Sequence, residues 1–221
     1  MILAVAATEF EMSPFLQLLA EDSCFTLIAG VGPVETTLRL TRYLERRDPR
    51  LGTVLNFGVA GAYLPDVPNP EGEVSLLDLC LAEQESLGDL GISFADHIEP
   101  LAENLGTSLV FPMDQSLLRQ AGEILAHHGQ PYRSGNFVTV SAASATRQRG
   151  TMLAARFQGI CENMEGAAVA RVCAEFSLPL LELRAVSNLV EDRDLGSWKL
   201  AEACSRAAGA AALLVRELKG R

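Results

Sequence analysis

An α/β fold, with a mostly parallel or mixed sheet covered by helices on both faces, is what this sequence predicts. Three observations carry that expectation. Short, wholly apolar runs of strand length alternate with stretches of helical periodicity. Glycines follow the apolar runs directly, as at Gly30, Gly32, Gly58 and Gly61. The 221 residues are 48% hydrophobic, enough for a sizeable core in one domain spanning residues 1–221. No apolar run approaches the roughly 18 residues needed to span a membrane.

The elements follow in order. Residues 2–7 read as a buried strand and not a leader, because no basic region precedes them and Glu9 and Glu11 follow at once. Residues 10–20 read as a helix, 25–30 as a strand and 34–47 as an amphipathic helix. Residues 53–57 form a third strand running into a turn at 58–61. Residues 64–72, rich in Pro, Asp and Asn, are a loop. Residues 74–82 read as one long strand. Residues 83–109 are polar and Gly-punctuated, which predicts a mobile segment facing the substrate. Asp114 caps a helix reaching residue 127. A short strand at 137–141, a short helix at 143–150 and a strand at 159–161 come next. A helix over 165–176, a strand over 180–187 and an Ala-rich helix over 197–219 complete the chain.

Composition excludes several functions. The formal charge of −10 repels nucleic acid. The one basic cluster, Arg39, Arg42, Arg46, Arg47 and Arg50, sits at helical spacing among Glu35 and Glu45 and reads as a solvated helix face. The five cysteines are widely spaced with no CxxC, which fits buried thiols in a cytoplasmic protein. His97, His127 and His128 have no partner at metal spacing, so no metal and no cofactor is expected. No GxSxG, GxGxxG or P-loop motif occurs. A small-molecule ligand is expected, with no membrane and no nucleic acid as partner.

In open α/β sheets ligands bind beyond the carboxyl ends of strands. The residues to inspect there are Glu11, Gly58 and Val59, Met164 and Glu165, and Asn188. A carboxylate one turn after the first strand can act as a base on water, although by position alone Glu11 is an ordinary acid of a helix's first turn. Glu165 opens a helix at the end of a strand, with Glu162 as a surface neighbour. Asn188 can offer both a donor and an acceptor to a ligand edge.

The segments VAATEFEM, AGVGPVET, NFGVAGAY, SGNFVTVSA, ENMEGAAVARVC and LRAVSNLVED, in that order, resemble the purine nucleoside phosphorylase/nucleosidase superfamily. The resemblance covers nearly the whole chain and is weakest over residues 83–109. It implies a three-layer α/β/α sandwich around a mixed, partly barrel-like sheet, and a homodimer or higher homo-oligomer. It also implies that a purine nucleoside is the substrate. By the same resemblance Glu11 activates water, Met164 and Glu165 hold the ribose, Phe137 packs on the base and Asn188 contacts the purine near N7. Two departures point to a hydrolase acting on a 6-oxopurine nucleoside. Adenine nucleosidases have Asp where this chain has Asn188, and an amide can donate to O6 where a carboxylate would repel it. No Arg accompanies the glycine turns, as phosphate binding would require.

Overall fold

The computed structural model describes residues 1–20, 23–64, 73–94, 97–99, 101, 108–192 and 195–218. Residues 65–72 of the expected loop, much of the segment 95–107 and the last residues of the C-terminal helix lie outside the described residues.

Ten strands and six helices alternate along the described chain. They are β1 (Ile2–Ala6), α1 (Glu9–Leu16), β2 (Phe25–Ile28), α2 (Pro33–Leu44), β3 (Thr53–Tyr63), β4 (Leu79–Leu87), β5 (Ile92–Ser93) and β6 (Ile98–Glu99). Then come β7 (Val110–Pro112), α3 (Gln115–His127), β8 (Tyr132–Thr139), α4 (Arg147–Phe157), β9 (Gly159–Asn163), α5 (Gly166–Glu175), β10 (Leu180–Val190) and α6 (Leu200–Leu218). Among the described residues no helix is long and apolar enough to cross a membrane.

The sheet is mixed and partly closed. Strands β3, β10, β4, β8 and β9 pair in a ring, β3 with β10 and β9, β4 with β10 and β8, and β8 with β9. The pairs β3–β9 and β4–β10 are antiparallel and the others parallel. Strands β1 and β2 extend in parallel from β3, and β7 pairs with β4. Period-2 alternation distributes the side chains. Ile2, Ala4 and Ala6 pack with α1, α3 and α6, whereas Leu3 and Val5 pack with α2 and α5. A smaller cluster joins Tyr63, Val138, Val140 and Val190 to Leu153 of α4. The α/β/α arrangement and the partly barrel-like sheet therefore agree with the sequence.

Several boundaries differ. Residues 58–61 are not a turn: β3 runs straight through them, because β10 and β9 supply pairing partners on both edges. Likewise β10 continues to Val190. Strand β4 starts only at Leu79 and continues through Leu87, so residues 83–87 are sheet, with Glu85 and Ser86 wholly buried. Strand β8 starts five residues earlier than residue 137, and α4 lies at Arg147–Phe157, capped by Thr146.

Helix α5 lies close against the ring. Its first residue, Gly166, leaves room for the buried carboxylate of Glu85, onto which an added Cβ would fall. Alanine normally stabilises a helix relative to glycine by about 0.5–1 kcal/mol. Overpacking a rigid interior costs about 1–3 kcal/mol. Gly166→Ala should therefore lower the urea midpoint of unfolding without changing the m-value; a raised midpoint would show that Glu85 can move aside.

Candidate active site

The site arises where strands part. On one edge of β3, residues 53–56 pair with β1 and residues 61–62 pair with β9. Between them the β3 edge at residues 57–60 is left to other partners. A cavity of about 440 Å³ opens there, lined among others by Glu11, Val59, Gly61, Glu162, Met164, Glu165 and Asn188.

Glu11 is fixed by a capping box. Thr8, the N-cap of α1, donates its backbone N–H (3.0 Å) and its hydroxyl (2.8 Å) to Glu11 Oε2, while its Oγ1 accepts from the Glu11 N–H. The free β3 edge supplies a third donor, the Val59 N–H, at 3.1 Å from Oε1. Gly58 permits this approach, since a Cβ there would collide with Glu11 Oε1 and come within 2.9 Å of Arg184 Nη1. The carboxylate is 5% exposed and lines the cavity, so it is more than a solvated first-turn acid.

Glu165 occupies the N-cap position of α5 without capping it. Asn163 does so instead, its Oδ1 accepting from the N–H groups of Glu165 (2.9 Å) and Gly166 (2.7 Å), and Thr139 Oγ1 accepts from the Ala167 N–H at 2.7 Å. The Glu165 carboxylate is thereby released toward the cavity. Its Oε1 accepts from the Gly32 N–H at 3.0 Å. Gly32 has φ +85°, a conformation that glycine adopts without strain, and Pro33 follows it as the first residue of α2.

Beneath these carboxylates lies a buried charge cluster. Arg184 is 1% exposed and bonds Glu182 Oε1 at 2.9 Å, with Glu165 Oε2 at 3.4 Å and the Val59 carbonyl at 3.3 Å. Burial opposes its charge, but Glu182, Glu165, Glu11 and Glu85 outweigh burial and hold it protonated, above its ordinary range. Glu85 accepts from Asn163 Nδ2 and from the Thr139 hydroxyl (2.8 Å). Burial first, then the neighbouring Glu182, pushes the Glu85 carboxyl well above the usual carboxylate range. Burial also raises Glu182, against the pull of Arg184.

Strand β10 presents its polar end through a bulge. The register with β3 passes from Val186 opposite Ala60 to Asn188 opposite Gly61, so Ser187 is the extra residue. Consecutive residues Ser187 and Asn188 consequently both line the cavity. The Ser187 hydroxyl donates to Asn188 Oδ1 at 2.9 Å, and the Asn188 amide nitrogen donates to the Leu189 carbonyl at 3.4 Å, which leaves its second N–H for a ligand.

The structure brings Glu11, Val59, Met164, Glu165 and Asn188 together around one cavity, with Gly58 just behind Glu11. Phe137 is the exception. It is fully buried in the core under α5 and does not line the cavity. Val140, just past β8 and out of phase with Phe137, lines the cavity instead, and the lining aromatics are Phe10 and Trp198. Glu162 is likewise no surface neighbour: it is 5% exposed and lines the cavity. Trp198, the chain's single tryptophan, was an available signal, whereas Glu162 carried none. None of the described residues of 83–109 lines the cavity.

The fold and this site define the class. A model of the phosphorylase superfamily matches residues 9–219, and the chain belongs to that superfamily, as an enzyme of its nucleosidase group. Among relatives, it is 34% identical over 200 residues to futalosine hydrolase of Thermus thermophilus, covering 88% of this chain and 82% of that one. It is 33% identical over 189 residues to futalosine hydrolase of Streptomyces coelicolor, covering 82% and 74% of the two chains. Its fold superposes on a mutant of the Helicobacter pylori nucleosidase MTAN with 5′-methylthioadenosine in its active site, with a TM-score of 0.82, 23% identity and 98% of each chain covered.

Burial raises the Glu165 carboxyl above its ordinary value, more than Arg184 and the Gly32 N–H lower it. Protonation turns one of the Glu165 oxygens into a donor, so its full acceptor capacity toward the cavity belongs to the ionised form. Protonation removes that capacity as pH falls, and a raised pKa moves the loss upward. The acid limb of kcat/KM should therefore lie above the ordinary glutamate value of about 4.3. A limb at or below that value would show that turnover does not need Glu165 in its ionised form.

Proposed function

We propose that the chain hydrolyses the N-ribosidic bond of futalosine and releases hypoxanthine. One observation carries the choice of water over phosphate as nucleophile. Among the described residues the cavity wall presents three carboxylates, Glu11, Glu162 and Glu165, and no lysine or arginine. The nearest buried cation, Arg184, is engaged by Glu182 and Glu165. Like charges about 4 Å apart repel by about 4 kcal/mol at an effective dielectric near 20. A phosphate dianion is disfavoured there, whereas a ribosyl oxocarbenium cation is stabilised.

In this reading the C1′–N9 bond breaks with its electrons passing to the purine. Glu11, aimed by three donors, takes the proton of the water that attacks C1′. Glu165 accepts from the ribose hydroxyls and holds the cation in place, with Met164 as the apolar wall of the sugar site. The Asn188 amide donates a hydrogen bond to the leaving base at N7 or O6, the departing purine anion takes a proton from solvent, and Glu11 returns the proton it gained to solvent. Hypoxanthine is favoured over adenine by that donor and by the similarity to futalosine hydrolases. The enzyme is proposed to work without a cofactor, as a cytoplasmic homodimer or higher homo-oligomer like the branch it resembles.

Glu11→Gln keeps the shape of the side chain but cannot accept the proton. The wild type should release hypoxanthine from futalosine, and the variant should bind futalosine with little change while turnover falls about 10²–10⁴-fold. Near-wild-type turnover in the variant, or no hypoxanthine from the wild type, would refute this assignment.

A further inference from the structure

Glu162 has no part in the mechanism above, yet it forms the cavity wall at the end away from β1. Its position follows from strand register. Gly61 of β3 lies opposite Glu162 of β9 on one side and opposite Asn188 of β10 on the other. Directly paired residues of a sheet point to the same face. Gly61 therefore forms the floor of a slot with a carboxylate at one side and a carboxamide at the other. A side chain on this floor would crowd the slot, since a Cβ on Gly61 would lie 3.0 Å from Asn188 Nδ2 and 3.1 Å from Val190 Cγ2. Val140 and Ala143 supply apolar lining.

The carboxylate is held firmly. The Ser144 N–H donates to Glu162 Oε1 at 2.7 Å and the Ser144 hydroxyl to Oε2 at 2.6 Å. Arg149 Nε in turn lies 3.2 Å from Ser144 Oγ. The Tyr63 hydroxyl also neighbours this carboxylate, whose two oxygens offer about four lone-pair sites, so one remains for a ligand. A slot offering an amide donor on one side and a fixed acceptor on the other matches one edge of a 6-oxopurine: O6 accepts, and the adjacent N1–H donates. Adenine presents the reverse, an amino donor and an N1 acceptor.

We propose that Glu162 is a specificity-determining residue that accepts the N1–H of a 6-oxopurine base while Asn188 donates to the O6/N7 side. This rests on the reading that the cavity takes a purine nucleoside, and it names a second residue that selects hypoxanthine. Selection is then shared between two strands, so Asn188 alone does not set it.

Free bases test the slot independently of turnover. Binding of hypoxanthine, 1-methylhypoxanthine and adenine is measured calorimetrically on the wild type, Glu162→Gln and Glu162→Ala. Methylation at N1 removes the donor and leaves O6 and N7 intact. The wild type should bind hypoxanthine about 10- to 100-fold more tightly than 1-methylhypoxanthine, the range expected for a hydrogen bond to a charged group. In Glu162→Ala, which also makes room for the methyl group, the ratio should collapse toward one. In Glu162→Gln adenine should gain relative to hypoxanthine. Equal binding of the two hypoxanthines by the wild type, or a ratio that survives both substitutions, overturns the proposal while leaving hydrolysis of futalosine intact. A wild type that prefers adenine to hypoxanthine overturns the 6-oxopurine reading itself. The wild-type comparison decides even if a variant fails to fold.

Discussion

The division of one strand edge organises this molecule. Strand β3 gives the first part of its edge to β1 and the last part to β9, and the backbone between them is unclaimed by either. An unpaired N–H in a buried edge must find an acceptor. Val59 finds it in Glu11, which ties α1 to the sheet and sets the acid in the cavity wall. The same parting of strands lets the carboxyl ends of β1 and β9 face each other, so Glu11 and Glu165 belong to one site although 154 positions separate them in the chain. The glycines of β3 are consistent with this constraint. Gly58 makes space for Glu11 and Arg184, and Gly61 makes space for Asn188.

The site stands on a costly foundation. Arg184, Glu182 and Glu85 are essentially without solvent, and Glu182 Oε2 has no hydrogen-bond partner among the described residues. Buried ion pairs rarely add net stability over apolar packing of the same volume. Their effect here is geometric. Arg184 bridges Glu182, Glu165 and the Val59 carbonyl, linking β10, the start of α5 and β3 at one point. Asn163 and Thr139 take over the capping of α5, which leaves Glu165 free for a ligand. Glu165 is thus oriented in part by Arg184 and Thr139, neither of which lines the cavity.

Much of this was legible in the sequence, and the failures are specific. Strand and helix order emerged from periodicity, and Asp114 caps α3 as its position predicts. Glu11 and Glu165 could be found because each follows a strand, and Asn188 because it lies near the carboxyl end of β10, where α/β sheets place their ligands. Strand ends were misjudged at β3 and β10 because glycine and Asn there read as turns, while long-range pairing with each other keeps both strands extended. Phe137 was misassigned because a one-residue shift in strand phase moves a side chain to the opposite face. Glu162 was missed for the same reason in reverse: the burial of an acid in β9 depends on Ser144, 18 residues away, which no local pattern reveals. The charge cluster was invisible because Glu85 on β4, Glu165 at the start of α5 and Glu182 and Arg184 on β10 are far apart in the sequence.

The central claim is that water, and not phosphate, attacks the anomeric carbon of a nucleoside in a cavity walled by acids. Turnover of futalosine in ¹⁸O-labelled water, with and without added phosphate, examines it directly. Hydrolysis requires hypoxanthine release at the same rate in both, with one labelled oxygen on the sugar product. Release that depends on phosphate, with a sugar 1-phosphate as product and no label, would contradict it.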